Sequence, residues 1–287
     1  MLEITKSLRP KSIMPPYPNY HEGDYFEEFF FKKFIGEFQD LKINEITYIP
    51  IFWTNCYTNK SFYNKNYDIQ NIVNNFDKQK KYFTISQHDD CIYENLPNDT
   101  IIFSMGGNKK GDNIIPIPLV CSPIKYNKLE KTLKISFVGS LTHQIRNEIY
   151  EFYKNDLDFS FHIKKWELLT DDFFIDKFKE VTAKSYFTLC PRGYGATSFR
   201  LYESMQMDSI PIYVYDDPWL PWQNEIDWSK LCVLIQRNDI KKIKNIIKNL
   251  DYQNMILYKN EIYNDYFTYD GIYNNIIKIM KNGNFKV

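Results

Sequence analysis

Short apolar runs alternate with amphipathic segments through the second half of this chain, and that alternation restricts the possible folds more than any other feature. Runs typical of buried strands occur at residues 133–138, 159–163, 186–190 and 210–215. Segments with apolar residues at helical spacing lie between them, at residues 145–153, 173–183 and 199–207. Strands that alternate with helices predict a parallel sheet that is covered by helices on both faces.

The first half carries a similar pattern in a less regular form. Its predicted helices are 25–38 and 68–76, and its predicted strands are 46–53, 82–86, 100–104 and 114–120. Two more amphipathic helices are predicted at 240–250 and 262–280, and the polar stretch 121–131 is typical of an interdomain linker. We therefore expect an α/β fold of two Rossmann-like domains, residues 1–125 and 126–287, with a cleft between them. The last helix can pack back on the first domain.

Composition excludes several classes of protein. The formal net charge is zero, so there is no electrostatic case for binding nucleic acid or an anionic membrane. The five cysteines are scattered without a CxxC pair, which indicates a reducing compartment rather than a disulfide framework or a zinc cluster. Because the sequence has no apolar leader and no run of about 18 apolar residues, we expect a soluble, cytoplasmic protein without a transmembrane segment.

Arginine is scarce in this chain, and its positions are informative. Lysine and arginine together number 36, yet the arginines are only Arg9, Arg146, Arg192, Arg200 and Arg237. The planar guanidinium binds phosphate or carboxylate through two parallel hydrogen bonds, which lysine cannot do. Three of the five arginines fall between residues 146 and 200, so this part of the chain is the first candidate for an anion site.

The segment from Ser185 to Glu203 has the strongest functional pattern. A strand leads into a loop with two glycines, and a helix then begins with Thr197 or Ser198 as its expected N-cap. Ligands of open α/β sheets bind at the carboxyl ends of strands, where the N–H groups of a helix start favour an anion. Gly193 lets the backbone approach such a ligand closely.

Two arginines and one glutamate of this segment suit a nucleoside diphosphate. Arg192 and Arg200 can neutralise the two phosphates, and Glu203 can accept hydrogen bonds from ribose hydroxyls. The alternative is an ordinary strand-turn-helix in which Arg200 and Glu203 pair with each other.

Further polar groups follow other predicted strands. Gly139 and Ser140 end the strand 133–138 and precede Arg146, although a Gly-Ser turn alone is weak evidence. The sequence Gln-His-Asp-Asp at 87–90 follows the strand 82–86, and a sugar transfer needs a base to take the proton of the acceptor hydroxyl. The candidate bases are Asp90, His88, Asp89 and Asp217. A strand-ending turn is the alternative for residues 87–90.

Residues 185–228 resemble the exostosin family of inverting glycosyltransferases of the GT-B type. The resemblance rests on CPRG at 190–193, R-x-x-E at 200–203, SIP at 209–211, the Asp pair at 216–217 and Asp-Trp at 227–228. It extends more loosely to FVGS and Arg146, to SQHDD at 86–90 and to the aromatic segment 25–38. Small anchorless members of this family occur in large DNA viruses.

The resemblance implies a UDP-sugar donor, such as UDP-xylose, bound by residues 126–287 and a glycan acceptor bound by residues 1–125. It also implies inversion at the anomeric carbon without an essential metal or another cofactor. Carried over by position, three arginines meet the diphosphate and Glu203 meets the ribose. The full expected donor-binding set is Gly139, Ser140, Arg146, Arg192, Gly193, Tyr194, Thr197, Ser198, Arg200 and Glu203.

Two other functions are compatible with the sequence. A metal-dependent transferase of the GT-A type needs an Asp-x-Asp motif, and Asp156 and Asp158 have that spacing, although they precede a predicted strand. A relative that binds a nucleotide or carbohydrate without catalysis is the second alternative. The sequence leaves the transferred sugar, the acceptor and the oligomeric state open.

Overall fold

A computed structural model describes residues 1–15, 18, 20–21, 24–167, 169–283 and 285. The chain divides into two compact units: unit 1 is Met1–Pro118 with Tyr269–Val287, and unit 2 is Leu119–Thr268. Each unit contains one five-stranded sheet. The expected α/β class with two Rossmann-like units is therefore confirmed.

The described residues form ten helices and ten strands, together with short 3₁₀ turns at Lys6–Leu8 and Arg237–Lys242. The helices are α1 (Phe26–Glu37), α2 (Trp53–Tyr63), α3 (Ile69–Asn74), α4 (Gln144–Tyr153), α5 (Asp172–Ala183), α6 (Phe199–Gln206), α7 (Trp228–Leu231), α8 (Ile243–Ile247), α9 (Tyr252–Phe267) and α10 (Tyr269–Asn282). The strands are β1 (Lys42–Ile43), β2 (Ile46–Tyr48), β3 (Lys81–Ser86), β4 (Ile101–Ser104), β5 (Ile114–Pro116), β6 (Leu133–Gly139), β7 (Phe159–Ile163), β8 (Ser185–Leu189), β9 (Ile210–Tyr215) and β10 (Val233–Gln236).

The sheet of unit 1 has the order β1-β2-β3-β4-β5, and only the β1–β2 pair is antiparallel. Helix α1 has Phe26, Phe30 and Phe34 at every fourth position, all fully buried, and Phe30 and Phe34 pack on this sheet. Phe30 and Phe34 contact the ring of Tyr48 on β2 edge-on, at 5.2 and 5.1 Å between centroids. Helix α10 lies against α1, where Phe30 meets Tyr273 at 5.1 Å.

Two predicted strands of unit 1 are clearly shorter than expected, and one of them, 114–120, is a strand only over Ile114–Pro116. The apolar run 46–53 is a strand only to Tyr48, and α2 begins at Trp53. Pro50 has no N–H group to donate to a ladder, so the pairing ends before it. The prediction missed α2 because its sequence, WTNCYTNKSFY, mixes polar and aromatic residues without a clear apolar stripe.

The sheet of unit 2 is entirely parallel, with the order β7-β6-β8-β9-β10. Its core packs against both faces, because successive residues of a strand point to opposite sides. Phe137 of β6 belongs to the larger apolar cluster, which also contains Ile145 and Leu189. The next residue, Val138, packs with Phe178 of α5 on the other face.

The strand order of unit 2 fixes where a ligand can bind. From β6 the chain passes through α4 to β7 on one side, and then through α5 to β8 on the other side of β6. The order therefore reverses between β6 and β8, and a crevice opens at the carboxyl ends of these two strands.

The end of the chain differs from the prediction. The segment 262–280 is not one helix, since α9 ends at Phe267 and α10 begins at Tyr269. Thr268 has extended backbone angles that interrupt the helix. Strand β10 and helix α7 were not predicted. No helix in the described ranges has both the length and the apolar character needed to cross a lipid bilayer.

Candidate active site

The crevice between β6 and β8 is bordered by the loop after each strand and by the start of α6. Strand β6 ends at Gly139, and Ser140 follows it in a buried position. Residues 190–198 connect β8 to α6, where Ser198 is the N-cap and its side chain accepts the N–H of Arg200 at 3.4 Å. The expected N-cap is thereby narrowed to Ser198. The start of α6 supplies N–H groups that favour an anion at this edge.

Arg200 lies beside Gly139. Its Nε donates to the carbonyl of Val138 at 2.8 Å, and its guanidinium stands over the ring of Phe137 at 5.0 Å. A Cβ atom at residue 139 would lie 2.0 Å from the Arg200 Nη2, and the φ of Gly139 is +152°, so only glycine fits here. Nη1 and Nη2 of Arg200 hydrogen-bond to none of the described residues. Arg200 does not pair with Glu203, so the alternative of an internal pair is not realised.

Arg146 of α4 holds the two loops together. Its Nε donates to the carbonyl of Arg192 and its Nη1 to that of Ser140, each at 2.9 Å. Weaker bonds run from Nη1 to the Thr142 hydroxyl at 3.3 Å and from Nη2 to the Pro191 carbonyl at 3.4 Å. The side chain is buried. These bonds engage all three guanidinium nitrogens, so Arg146 positions the loops that border the crevice.

The glycine after Arg192 leaves room for Arg146. A Cβ atom at Gly193 would lie 2.9 Å from the Arg146 Nη2, so a larger residue would displace the Arg146 guanidinium from its bonds to the two loops. The sequence predicted this glycine as a point of close approach to a ligand. In the structure the group that approaches it is the guanidinium of Arg146.

Arg192 forms an ion pair with Asp216, which follows β9. Its Nη1 donates to the Asp216 Oδ1 at 2.9 Å, and its Nη2 donates to the carbonyl of Tyr194 at 3.0 Å. Burial by itself would raise the pKa of Asp216, but the hydrogen bond and charge of Arg192 outweigh it and lower that pKa. Asp216 thus fixes Arg192 at the crevice. The candidate base predicted from the sequence was the neighbouring Asp217, which is exposed, because nothing in the sequence distinguishes the two carboxylates.

The remaining predicted donor residues are divided between exposed and buried positions. Tyr194 is 69% exposed, whereas Thr197 is buried in the loop before α6. Glu203 lies one turn into α6 and is only 2% exposed. Tyr213 of β9 holds the loop before α6, because its hydroxyl donates to the Ala196 carbonyl at 2.7 Å.

His143 is a polar group of this edge that the sequence analysis missed. It is the N-cap of α4, and its Nδ1 accepts the N–H of Ile145 at 3.3 Å. Burial lowers the pKa of His143, and the nearby charges of Arg192 and Arg146 lower it further, while Asp216 opposes them. A neutral imidazole is the form that can accept this bond.

The predicted bases of unit 1 form a compact cluster after β3. The carboxylate of Asp90 accepts the hydroxyl of Tyr93 at 2.6 Å and the amide of Asn108 at 2.9 Å. The ring of His88 packs against those of Tyr57 and Tyr93, at 5.0 and 5.6 Å between centroids. Its Nδ1 accepts the N–H of Asp90 at 3.3 Å, and burial lowers its pKa despite the charge of Asp90.

These contacts distinguish the candidate bases. A neutral imidazole that accepts through Nδ1 carries its proton on Nε2, so His88 has no free basic nitrogen in this arrangement. Each oxygen of the Asp90 carboxylate accepts one of the two hydrogen bonds given above, and a carboxylate offers about four acceptor sites, so Asp90 can act as the proposed base. Asp89 is half-buried in the same turn, and its carbonyl accepts the N–H of Asn108 at 3.1 Å.

A buried glutamate of α1 is hydrogen-bonded to the segment that leads into this cluster. Glu27 of α1 accepts the N–H of Thr54 at 3.0 Å, the Thr54 hydroxyl at 2.8 Å and the N–H of Gln87 at 2.9 Å. Burial raises the pKa of Glu27 to about 8, although these hydrogen bonds act in the opposite direction. Glu27 therefore joins α1, the start of α2 and the loop that leads to His88. Its only sequence signal was an acidic residue within an aromatic helical segment.

One other motif lies away from these clusters. Asp156 and Asp158 precede β7, at the sheet edge opposite to the crevice, and both pair with Lys244, at 2.8 and 2.9 Å. Trp219 and Trp222 follow β9 and are only 3% and 6% exposed, so both belong to the core, and the backbone N–H of Trp219 donates to the Tyr213 hydroxyl at 3.1 Å.

The model of the exostosin GT47 domain matches residues 52–250 of this chain. The chain belongs to the exostosin GT47 family. The matched range contains the cluster after β3 and the whole β6–β8 crevice. Two Rossmann-like units in one chain are the composition of the GT-B class, in agreement with the fold expected from the sequence.

Plant proteins are among the relatives of this exostosin chain. The probable glucuronoxylan glucuronosyltransferase IRX7 of Arabidopsis thaliana is 22% identical over 156 residues, which cover 50% of this chain and 34% of the relative. The probable glucuronosyltransferase GUT1 of Oryza sativa subsp. japonica is 27% identical over 112 residues, which cover 39% of this chain and 25% of the relative. The matched part thus spans about a third of these plant proteins or less.

Among solved structures, the crystal structure of TarM matches with a TM-score of 0.44 and 13% identity, over 73% of this exostosin chain and 52% of that one. The crystal structure of AviGT4, a glycosyltransferase involved in avilamycin A biosynthesis, matches with a TM-score of 0.39 and 11% identity, over 75% and 77% of the two chains.

Proposed function

We propose that this exostosin chain is an inverting glycosyltransferase that moves a sugar from a UDP-sugar to a hydroxyl group of a glycan. Membership of the exostosin GT47 family and the names of its plant relatives support the class of reaction. One structural observation carries the donor site. Arg200 presents two terminal nitrogens, unbonded within the described residues, at the strand-order reversal of an α/β sheet.

The donor is proposed to lie with its diphosphate at the crevice between β6 and β8. Arg200 binds phosphate oxygens through Nη1 and Nη2, and the start of α6 contributes N–H groups. Arg192, held by Asp216, adds the second positive charge. Arg146 keeps the two loops at the spacing that this ligand needs. Glu203 is the proposed partner of the ribose.

In the reaction, the oxygen of the acceptor hydroxyl attacks the anomeric carbon of the donor sugar. The bond from that carbon to the phosphate oxygen breaks, and UDP leaves with the electron pair and is stabilised by Arg192 and Arg200. Asp90 takes the proton of the attacking hydroxyl. Because arginines neutralise the leaving group, no metal is required by this proposal, and the expected activity persists in EDTA.

The donor sugar is proposed to be glucuronic acid or xylose. The first follows the names of the plant relatives, and the second is one example of the family donors that the sequence resemblance implied. A panel of UDP-sugars, assayed for hydrolysis and for transfer to oligosaccharides, identifies the substrate.

Calorimetric titration with UDP tests the donor site. We expect the protein to bind UDP, and Arg200→Ala to weaken binding by about 1.5–3 kcal/mol, the contribution of a hydrogen bond to a charged group. Arg9→Ala is the matched control, since Arg9 lies in unit 1 and donates to Thr5 and Leu2. Absence of UDP binding at millimolar concentration contradicts the proposal. Binding without hydrolysis or transfer of any UDP-sugar indicates a non-catalytic relative.

A further inference from the structure

Unit 1 contains a pocket that none of the roles above uses. It lies between the second half of α2, the turn that follows it, the start of α3 and the loop at residues 93–94, and its volume is about 540 Å³. Ligand pockets of proteins typically measure about 300–1,000 Å³. Its walls include Tyr57, Tyr67, Tyr93 and Glu94. The pocket is therefore large enough for a small ligand and is lined by aromatic and polar side chains.

The aromatic wall is held rigidly although one ring is open to solvent. Tyr93 is 60% exposed, yet its hydroxyl donates to Asp90 at 2.6 Å and its N–H donates to the Tyr57 hydroxyl at 3.2 Å. The two tyrosine rings lie 4.8 Å apart. A fixed, exposed aromatic face offers contact area at little cost in side-chain entropy, and the C–H face of a sugar ring fits such a surface.

Several polar side chains of the same pocket have hydrogen-bonding atoms that are not used within the described residues. Glu94 accepts the Tyr57 hydroxyl through Oε2, and no described residue donates to its Oε1. The side chains of Asn64 and Asn66 form no hydrogen bonds within the described part of the chain. The Tyr67 oxygen accepts the Asn59 amide at 3.2 Å, which leaves its own O–H to donate. Carboxylate, amide and hydroxyl groups of this kind recognise the hydroxyls of a carbohydrate.

We propose that this pocket binds a sugar ring of the acceptor glycan, with the ring stacked on Tyr93 and its hydroxyls bonded to Glu94 and the two asparagines. The pocket is connected to the base proposed above, because the Tyr93 hydroxyl is bonded to Asp90. Asp90 is not part of the pocket lining, and the Tyr93 side chain is the link between a sugar in the pocket and that carboxylate. This assignment as an acceptor subsite rests on the proposed function, whereas carbohydrate binding by the pocket does not.

The first experiment measures binding without any donor. Xylohexaose, cellohexaose and chitohexaose are titrated into the full chain and followed by saturation-transfer NMR and calorimetry. We expect at least one hexasaccharide to bind, Tyr93→Ala to weaken binding at least tenfold, and Glu94→Gln to weaken it several-fold. Tyr63→Ala is the matched control, since Tyr63 is a 42% exposed tyrosine of α2 outside the pocket lining.

The outcomes separate the two proposals. Binding that is lost in Tyr93→Ala but kept in Tyr63→Ala supports the pocket even when no UDP-sugar is turned over, and in that case only the transferase function fails. No binding of the three sugars at about 10 mM overturns the pocket. Equal binding by Tyr93→Ala and the wild type also overturns it. Circular dichroism checks that each variant is folded.

Tyr93→Phe tests the connection to Asp90. This variant keeps the aromatic ring but removes the bond to the carboxylate, so acceptor binding should stay within about twofold of the wild type. Transfer should fall, and its pH profile should shift, because Asp90 loses a hydrogen-bond donor. An unchanged pH profile contradicts the connection while leaving the pocket itself intact.

Discussion

Replacement of Arg146 by alanine should destabilise the protein far more than replacement of Arg200. The Arg146 side chain is buried, and its two bonds of 2.9 Å join the carbonyls of Ser140 and Arg192. Hydrogen bonds from a charged donor contribute about 1.5–3 kcal/mol each, so loss of these two predicts about 3–6 kcal/mol. Arg200 is partly exposed and has one such bond, and its loss should cost about 1–2 kcal/mol because water can replace it.

Equilibrium unfolding in urea, followed by tryptophan fluorescence and circular dichroism, measures both variants beside the wild type. Arg146→Lys is an informative third variant, since it keeps the charge but cannot form the same set of bonds. We expect it to recover less than half of the lost stability. If the free energy of unfolding of Arg146→Ala lies within about 1 kcal/mol of the wild-type value, Arg146 does not join the two loops, and it then becomes a candidate phosphate ligand again.

Three further predictions concern single positions. Gly139→Ala places a Cβ atom 2.0 Å from the Arg200 Nη2, so UDP affinity should fall as far as in Arg200→Ala, by about 10- to 150-fold. Gly36→Ala is the control, because no atom lies within 4 Å of a Cβ at residue 36, and its UDP affinity should equal that of the wild type. Glu27 binds its proton more tightly when folded, because its pKa is raised from 4.5 to about 8, so stability should fall as pH rises through that window, by up to about 1.4 kcal/mol per pH unit. Urea unfolding of Glu27→Gln at several pH values should show a stability that depends less on pH than that of the wild type. A wild-type stability that does not change with pH contradicts the raised pKa of Glu27. Asp90→Asn should lower turnover at least a hundredfold with UDP affinity unchanged, as steady-state kinetics and calorimetry will show; a loss of UDP affinity instead assigns it a binding role.

Elements with a regular period were predictable from the sequence. The strands at 159–163 and 210–215 have the predicted bounds, and the helix at Tyr25–Phe38 is realised within one residue at each end. Their apolar spacing reflects one buried surface, which is a local property. Helix α2 was not predictable in this way, because its burial depends on contacts that its polar composition does not reveal.

Side-chain partners were harder to predict than element positions. The motif around Arg192 and Arg200 indicated an anion site, but the role of Arg146 as a clamp depends on carbonyls of two loops that only the pairing of β6 with β8 brings together. The choice between Asp216 and Asp217 depends on which side of the turn faces Arg192. Such contacts arise from tertiary structure, so the motif predicted the location of the site and not its internal bonds.

The path of the chain has a consequence for how the protein is made. Unit 2 is a continuous segment, whereas unit 1 is completed only by Tyr269–Val287, which contains α10. A ribosome therefore finishes the whole of the second sheet before it supplies the helix that covers Phe30 in the first. During synthesis, the aromatic surface of α1 stays uncovered until α10 has been made, and a chaperone that shields this surface would raise the yield of native protein.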